Sequence, residues 1–257
     1  MTVSKIAPKI SILLCTYNHS SSLRTALQSV INQTFPDWEC LVIDDGSTDE
    51  TKQVLQSFQD SRITACHLEK NRGKSWALEQ ARNIARANIW IELDDDDWLA
   101  PEAVAKVFQY FSHLPEDVAL LTSSYTLWSF DKARGMVYRR AMAAYPIFIL
   151  PTRASVPIPR CYRRSAVEQA RGWSEWLAYA EGRFFEDAFL TTVLLQQYQI
   201  ARCNDVLYHR VLHRKSNSQQ AKNLYSSLFS AYFSQYPNRQ IQPFVPEDWK
   251  FYTNTRT

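Results

Sequence analysis

Glycine is scarce in this chain, with 5 in 257 residues against 11 prolines. None lies in the loop TYNHSSS that follows the first apolar run, KISILLC at 9–15. Enzymes that seat a nucleoside triphosphate on the first strand-to-helix turn use glycine there, so that backbone amides reach the phosphates. The loop therefore argues against a sugar nucleotidyltransferase. Cysteines number 5 and form no CxxC pair. An odd, scattered set argues against a disulfide framework or a zinc site and suits a reducing compartment. Net charge is small: 29 Lys+Arg against 26 Asp+Glu gives +3. With no basic, aromatic-laced patch legible in the sequence, nucleic-acid binding is disfavoured. No apolar run reaches the roughly 20 residues of a membrane span; the best, 141–150, is short and holds Pro146. The first apolar run is broken by charge and proline, so no secretory signal is expected. The expected location is cytoplasmic, with peripheral contact at the inner membrane face left open.

What is present is apolar and aromatic: 46% of the residues are hydrophobic and 13% aromatic, enough for a sizeable core. In the first hundred residues, strand and helix signals alternate. Runs 9–15, 38–43, 62–67 and 89–93 read as strands, with helices beginning near Ser22 and after Thr48, and a long one within NRGKSWALEQARNIARA, which begins as a loop. Serines are expected to cap the first helix, and Ser47 or Thr48 the second. This alternation predicts an α/β fold with a mostly parallel sheet. The polar clusters TYN, DDGS and DDDD each follow a strand, so they should gather on the sheet's carboxyl edge, where such sheets bind ligands. Beyond residue 100 the pattern predicts a helix over 101–111, a strand over 118–128, a helix over 186–197 and a proline-rich tail.

Four consecutive aspartates end the fourth strand, in IELDDDDWLAP. Like charges this close repel, and each resists burial. A hard divalent cation offsets the crowding, and magnesium takes one or two carboxylates together with substrate phosphates. A solvated acidic turn, with Asp97 capping the helix near Pro101, is the plain alternative. A phosphatase is suggested by DDGST, but its nucleophile loop needs an aspartate two residues before Asp45, where Ile43 stands.

Taken together and in order, KISILLCTYNHSSSLRTALQSVINQTF, CLVIDDGSTDET, NRGKS, IWIELDDDDWLAPEAV, RGWSEW…FFEDAFL and YHRVLHRKSNS span residues 9–218. In these stretches the chain resembles the family 2 glycosyltransferases, and particularly their small bacterial members. The resemblance implies the GT-A fold, a Rossmann-like, mostly parallel sheet flanked by helices. It implies a domain over 1–220, with a nucleotide-binding half at about 1–100 and an acceptor-binding half at about 101–220, and a helical or irregular extension over 221–257. The implied activity is inverting, metal-dependent transfer of a hexosyl or N-acetylhexosaminyl group from a nucleoside-diphosphate sugar, most simply a UDP-sugar. The acceptor would be a hydroxyl in cell-surface glycan or polysaccharide synthesis, and the cofactor Mn2+ or Mg2+.

Residue by residue, the resemblance implies that Tyr17 stacks on or flanks the base, Cys15 lines the same pocket and Asp45 accepts a hydrogen bond from the base imide. Asp96 would bind the metal, with Asp94 as the first member of the motif, Asp95 near the ribose and Asp97 orienting the others. Asp187 would be the general base and Glu186 its orienting partner or a sugar contact. His213, with Ser216 and Ser218, would close over diphosphate or metal, with Arg210, Lys215 and His209 adding to that loop. Trp173, Glu175 and Trp176 would form an acceptor or sugar platform. The family often places an arginine facing the phosphates where this chain has Leu78, leaving Arg72, Lys74 or Arg82 to supply that charge. A nucleotide-sugar-binding scaffold without turnover is the rival from another class.

Overall fold

The computed structural model describes residues 7–144, 148–150, 153–179, 183–213 and 224–235. Its first half follows the expected alternation. Strands β1 (Ile10–Thr16), β2 (Trp38–Asp44), β3 (Ile63–His67) and β4 (Ile89–Asp94) lie parallel in the order β3-β2-β1-β4. Helices α1 (Ser20–Ile31), α2 (Thr51–Ser57) and α3 (Lys74–Ile84) make the crossovers. Apolar packing covers both faces of β1, so it reads as a continuous hydrophobic run and not as an alternation. The first two helices are capped differently from the serine expectation. Asp49 accepts the Ser20 amide of α1 and the Thr51 amide of α2, each at 3.0 Å, so one carboxylate serves two helix starts.

The second half is more mixed. After β5 (Trp98–Leu99) and α4 (Ala103–Phe111), β6 (Val118–Asp131) turns back on itself as β7 (Gly135–Met142). Strands β8 (Phe148–Leu150) and β9 (Arg153–Ser155) form a separate pair. β10 (Arg160–Arg163) inserts antiparallel between β4 and β6, and leads to α5 (Arg164–Gln169) and a 3-10 turn at Ser174–Ala178. α6 (Glu186–Leu195) precedes β11 (Gln199–Leu212), which runs parallel to β6 and antiparallel to β5; α7 is Tyr225–Gln235. The expected α/β sheet is thus present with a mixed second half: the ladders β1–β2, β1–β4, β2–β3 and β6–β11 are parallel, and β5, β7 and β10 add antiparallel ones. Strands such as β7 and β10 return by turns and loops, and without a crossover helix an antiparallel neighbour is the accessible one.

Two apolar layers sandwich the sheet. One packs α1 and α4 through Leu23, Leu27, Val104 and Val107. The other packs α3, α5, α6 and α7 through Leu78, Val167, Phe189 and Phe229. Phe229 and Tyr232 of α7 lie 5.1 and 5.9 Å from Trp176, so this part of the expected extension belongs to the second core layer. No helix among the described residues is long and apolar enough to cross a membrane.

Candidate active site

The loops after β1, β2 and β4 meet at one edge of the sheet. Asn18, in the left-handed region at φ 55°, turns its carboxamide oxygen to the amides of Thr48 and Asp49, at 2.7 and 3.3 Å. The Asn18 amide in turn donates to Ser47 Oγ at 2.8 Å. The TYN and DDGS loops are thus latched, and Tyr17 projects from them with 42% of its surface exposed. Gly46 (φ 78°) permits the next contact, because a Cβ there would come within 2.6 Å of the Lys70 carbonyl carbon.

Asp45 has a different role from the open acceptor expected. It is buried, and its two oxygens accept the amides of Arg72 and Gly73 at 2.8 and 2.7 Å. It therefore pins the third loop, and burial raises its pKa. Arg72 is exposed there, its guanidinium stacked 3.7 Å over Trp76. Cys15 lies against the second core layer, where burial pushes its thiol well above the usual range.

The four aspartates alternate in burial, and each has its own partner. Asp94 receives Lys74 Nζ at 2.5 Å and Arg160 Nη2 at 3.1 Å. Burial opposes its ionisation, but these two cations outweigh burial and hold the carboxyl below the usual range. Asp94 is therefore not the open metal ligand expected: both its oxygens are already within reach of Lys74 and Arg160. Asp95 is buried and accepts His19 Nδ1 at 2.9 Å; it is enclosed and not open to a ribose. That bond holds the imidazole charged, with its pKa raised to about 9. Asp97 is no helix cap. It is buried and accepts the Val211 amide at 2.7 Å, fastening β11 to the motif, and burial raises its pKa. Asp96 stays accessible, and its carboxylate meets His213 Nε2 at 3.0 Å with the two side chains 25% and 48% exposed. The hydrogen bond to Asp96 raises the His213 pKa.

The Glu186-Asp187 pair opens α6, after Phe185 in the left-handed region at φ 61°. Glu186 is buried 3.2 Å from Lys74, and desolvation raises its pKa to about 7. Asp187 keeps a 24% exposed side chain, accepts the Ala188 amide at 2.7 Å and stands 3.8 Å from Arg160 Nη1. Lys74 and Arg160 also share Glu92, each at 2.9 Å. The two cations therefore join the acidic run to the Glu186-Asp187 pair.

Arg160 escaped the sequence reading because a four-residue strand among prolines shows no periodicity. The one available signal was the excess of carboxylate on β4, Glu92 and Asp94, which demands buried cations. Of the other cations expected at the phosphates, Arg82 points away, paired with Glu79 and Glu168, and Leu78 is core. The acceptor platform is corrected as well. Trp173 and Trp176 are wholly buried, Trp176 being stacked on Phe189 at 4.9 Å, and Glu175 accepts the Tyr232 hydroxyl at 3.0 Å. Side chains in the core offer no face to a sugar. His209 stacks on Trp98 at 5.2 Å, and Lys215, Ser216 and Ser218 lie outside the described residues.

The sequence model described as glycosyl transferase family 2 matches residues 11–170. The chain belongs to that family. Among curated relatives it is 28% identical to chondroitin synthase of Escherichia coli over 222 residues, covering 83% of this chain and 30% of the synthase. It is 36% identical over 92 residues to the E. coli WfgD protein, named a UDP-Glc:alpha-D-GlcNAc-diphosphoundecaprenol beta-1,3-glucosyltransferase, covering 35% of this chain and 36% of that one. The chain thus spans about a third of these two relatives. In structure it resembles residues 1–349 of S. aureus TarS in complex with UDP-GlcNAc: TM-score 0.64, 20% identity, 83% of this chain and 61% of that one. It also resembles the mannosyltransferase PcManGT of Pyrobaculum calidifontis in complex with GDP-Man and Mn2+: TM-score 0.64, 15% identity, 94% of this chain and 67% of that one. At these identities the two structures bear on the fold, which is that of GT-A glycosyltransferases.

Proposed function

We propose that this family 2 glycosyltransferase domain moves a sugar from a UDP-sugar to a hydroxyl group of a growing glycan, inverting the anomeric centre. The observation that carries the reading is the joining of the acidic run to the Glu186-Asp187 pair through Lys74 and Arg160. Tyr17 provides an exposed ring for the base, and Arg72, exposed on the loop that Asp45 pins, a positive charge for the diphosphate. Asp96 and His213 fit a divalent cation, one oxygen and one nitrogen 3.0 Å apart and accessible. Asp96 and His213 would hold such a Mn2+ or Mg2+ ion, which would offset negative charge on the departing nucleoside diphosphate. Asp187 takes the proton of the acceptor hydroxyl. The hydroxyl oxygen bonds to the anomeric carbon from the face opposite the diphosphate, and the bond from that carbon to the diphosphate oxygen breaks with its electron pair. Arg160 and Lys74 hold the carboxylates around this point.

The UDP-GlcNAc bound to TarS, the GDP-Man and Mn2+ bound to PcManGT and the donor in the name of WfgD support a nucleotide-sugar donor. The test is a panel of UDP-, dTDP- and GDP-sugars offered with glycan acceptors, with and without Mn2+, read as release of nucleoside diphosphate. The expected result is Mn2+-dependent release from a UDP-sugar that rises when acceptor is added. A chain stabilised by UDP-sugars that releases nothing with any acceptor would favour the scaffold reading instead.

A further inference from the structure

The hairpin of β6 and β7 carries a pattern of its own. Phe130 stands opposite Met136, and Trp128 opposite Tyr138, so all four share one face. Phe130 is 67% exposed, Tyr138 50% and Met136 43%. Leu212 of β11, 45% exposed, is in register with Ser129 and so lies on the other face of the sheet, marking where β11 runs alongside the hairpin. Lys132, Arg134, Arg139 and Arg140 are exposed on the same hairpin. Its one acid over 130–140 is Asp131, whose carboxylate is turned inward to the amides of Ala133 and Arg134 at 2.9 and 3.0 Å. An exposed apolar cluster ringed by one sign of charge marks an interaction surface.

We propose that this hairpin is a membrane-contact surface that docks on an anionic lipid bilayer. Phe130, Met136 and Tyr138 enter the headgroup region, and the four cations meet lipid phosphates. Aromatic and aliphatic side chains with long basic neighbours suit that boundary, because the stems lie in apolar surroundings while the charges stay with the headgroups. Charge decides against a second copy of the chain. Pairing two β7 edges would set like-charged arginines against each other. A neutral glycan would use the aromatic rings but leave the four cations and Met136 without a role.

The surface lies beside the site. Leu212 is level with Ser129, and His213 follows it, so His213, the partner of Asp96, is within roughly 7 Å of the exposed cluster along the strand direction. On the transferase reading, an acceptor glycan carried on a lipid anchor would be presented at the edge of the site.

The test uses the full chain with phosphatidylcholine vesicles, with and without phosphatidylglycerol, at low and high salt. Binding is expected only with the anionic lipid, and weaker at high salt. Each basic residue near an anionic surface contributes about fivefold in partition, so R134E combined with R140E should lower it by at least about thirtyfold. F130S combined with M136S should lower it as well. Both pairs should leave the stabilisation by UDP and Mn2+ unchanged, which separates this proposal from the transferase reading. In an F130W variant, emission should shift to the blue on anionic vesicles. Equal partition of the charge variants, or bound F130W without a blue shift, overturns the proposal. So does binding to a soluble acidic polysaccharide with none to vesicles, or a dimer that the hairpin substitutions dissociate.

Discussion

Arg160 on β10 and Asp94 on β4 form an ion pair at 3.1 Å that ties the parallel half of the sheet to the mixed half. The same guanidinium is 2.9 Å from Glu92 and 3.8 Å from Asp187. Together with Lys74 it faces four carboxylates, those of Glu92, Asp94, Glu186 and Asp187. The excess of negative charge explains why burial can push Glu186 to about 7 while Asp94, in contact with both cations, is held low.

Arg160→Ala should destabilise the fold strongly. Removing one partner of a buried ion pair leaves its carboxylates uncompensated, at a cost of about 3–5 kcal/mol. Urea denaturation monitored by circular dichroism would show the midpoint fall, and Arg160→Lys should recover part of the loss. A midpoint unchanged in Arg160→Ala would mean the network is not a structural hinge between the halves.

The aspartates should separate by assay. Asp96 and His213 are accessible, and exposed pairs contribute about 0–1 kcal/mol. Asp96→Asn and His213→Ala should therefore leave the melting temperature of the free protein nearly unchanged and remove the additional stabilisation that Mn2+ gives in the presence of UDP. Asp94→Asn should do the reverse, lowering the melting temperature of the free protein, because Lys74 and Arg160 lose a partner. Chelation by EDTA should imitate the first pair and not the second.

Glu186 gives a pH signature. Its ordinary pKa is 4.5, and in the folded chain it is raised to about 7. Below 4.5 the group is protonated in both states. Between the two values the unfolded chain has released the proton and the folded chain has kept it. Stability contributed by this group is therefore present at low pH and is lost as pH rises through about 7. Glu186→Gln should leave stability little changed at pH 4 and raise it relative to the parent at pH 8. A difference that stays flat across that range in chemical denaturation would contradict the raised pKa.

How far the sequence carried depended on local regularity. The parallel half was legible because β1, β2 and β4 are apolar runs bounded by polar loops and joined by helices, which few other folds produce. The motif order drew attention to Asp96, Asp187 and His213, and the structure leaves all three side chains accessible. What it hid is long-range. Nothing within ten residues of Asp45 tells that its carboxylate is spent on the Arg72 and Gly73 amides. Nothing near Arg160 tells that it meets Asp94 across the sheet. The hairpin was missed for a similar reason: its aromatic and basic residues face one another only after β6 and β7 pair.

Tryptophans misled for a different reason, since a sugar platform and a core wedge have the same composition. Trp176 is enclosed by Phe189, Phe229 and Tyr232, with ring centroids 4.9, 5.1 and 5.9 Å away. Trp176→Ala should cost about 3–5 kcal/mol as a large-to-small core change. Trp176→Phe should cost less and leave the acceptor KM unchanged. A Phe variant of normal stability with a raised acceptor KM would restore the platform role.

Asp187 and Glu186 compete for the part of general base, and the structure distinguishes them by access. Glu186 is buried against Lys74, whereas Asp187 keeps a side chain 24% exposed at the start of α6. A base must reach the hydroxyl it deprotonates, so the accessible carboxylate is the one expected to act. Asp187→Asn keeps the shape and the oxygen that accepts the Ala188 amide, so UDP affinity should be retained. Transfer should fall by about 10²–10⁴, the usual contribution of a positioned base. Measuring donor affinity by calorimetry and transfer by product formation on the same sample separates the two effects. If Asp187→Asn transfers at the parental rate while Glu186→Gln does not, the roles are reversed, and the proton leaves through the buried Lys74 cluster.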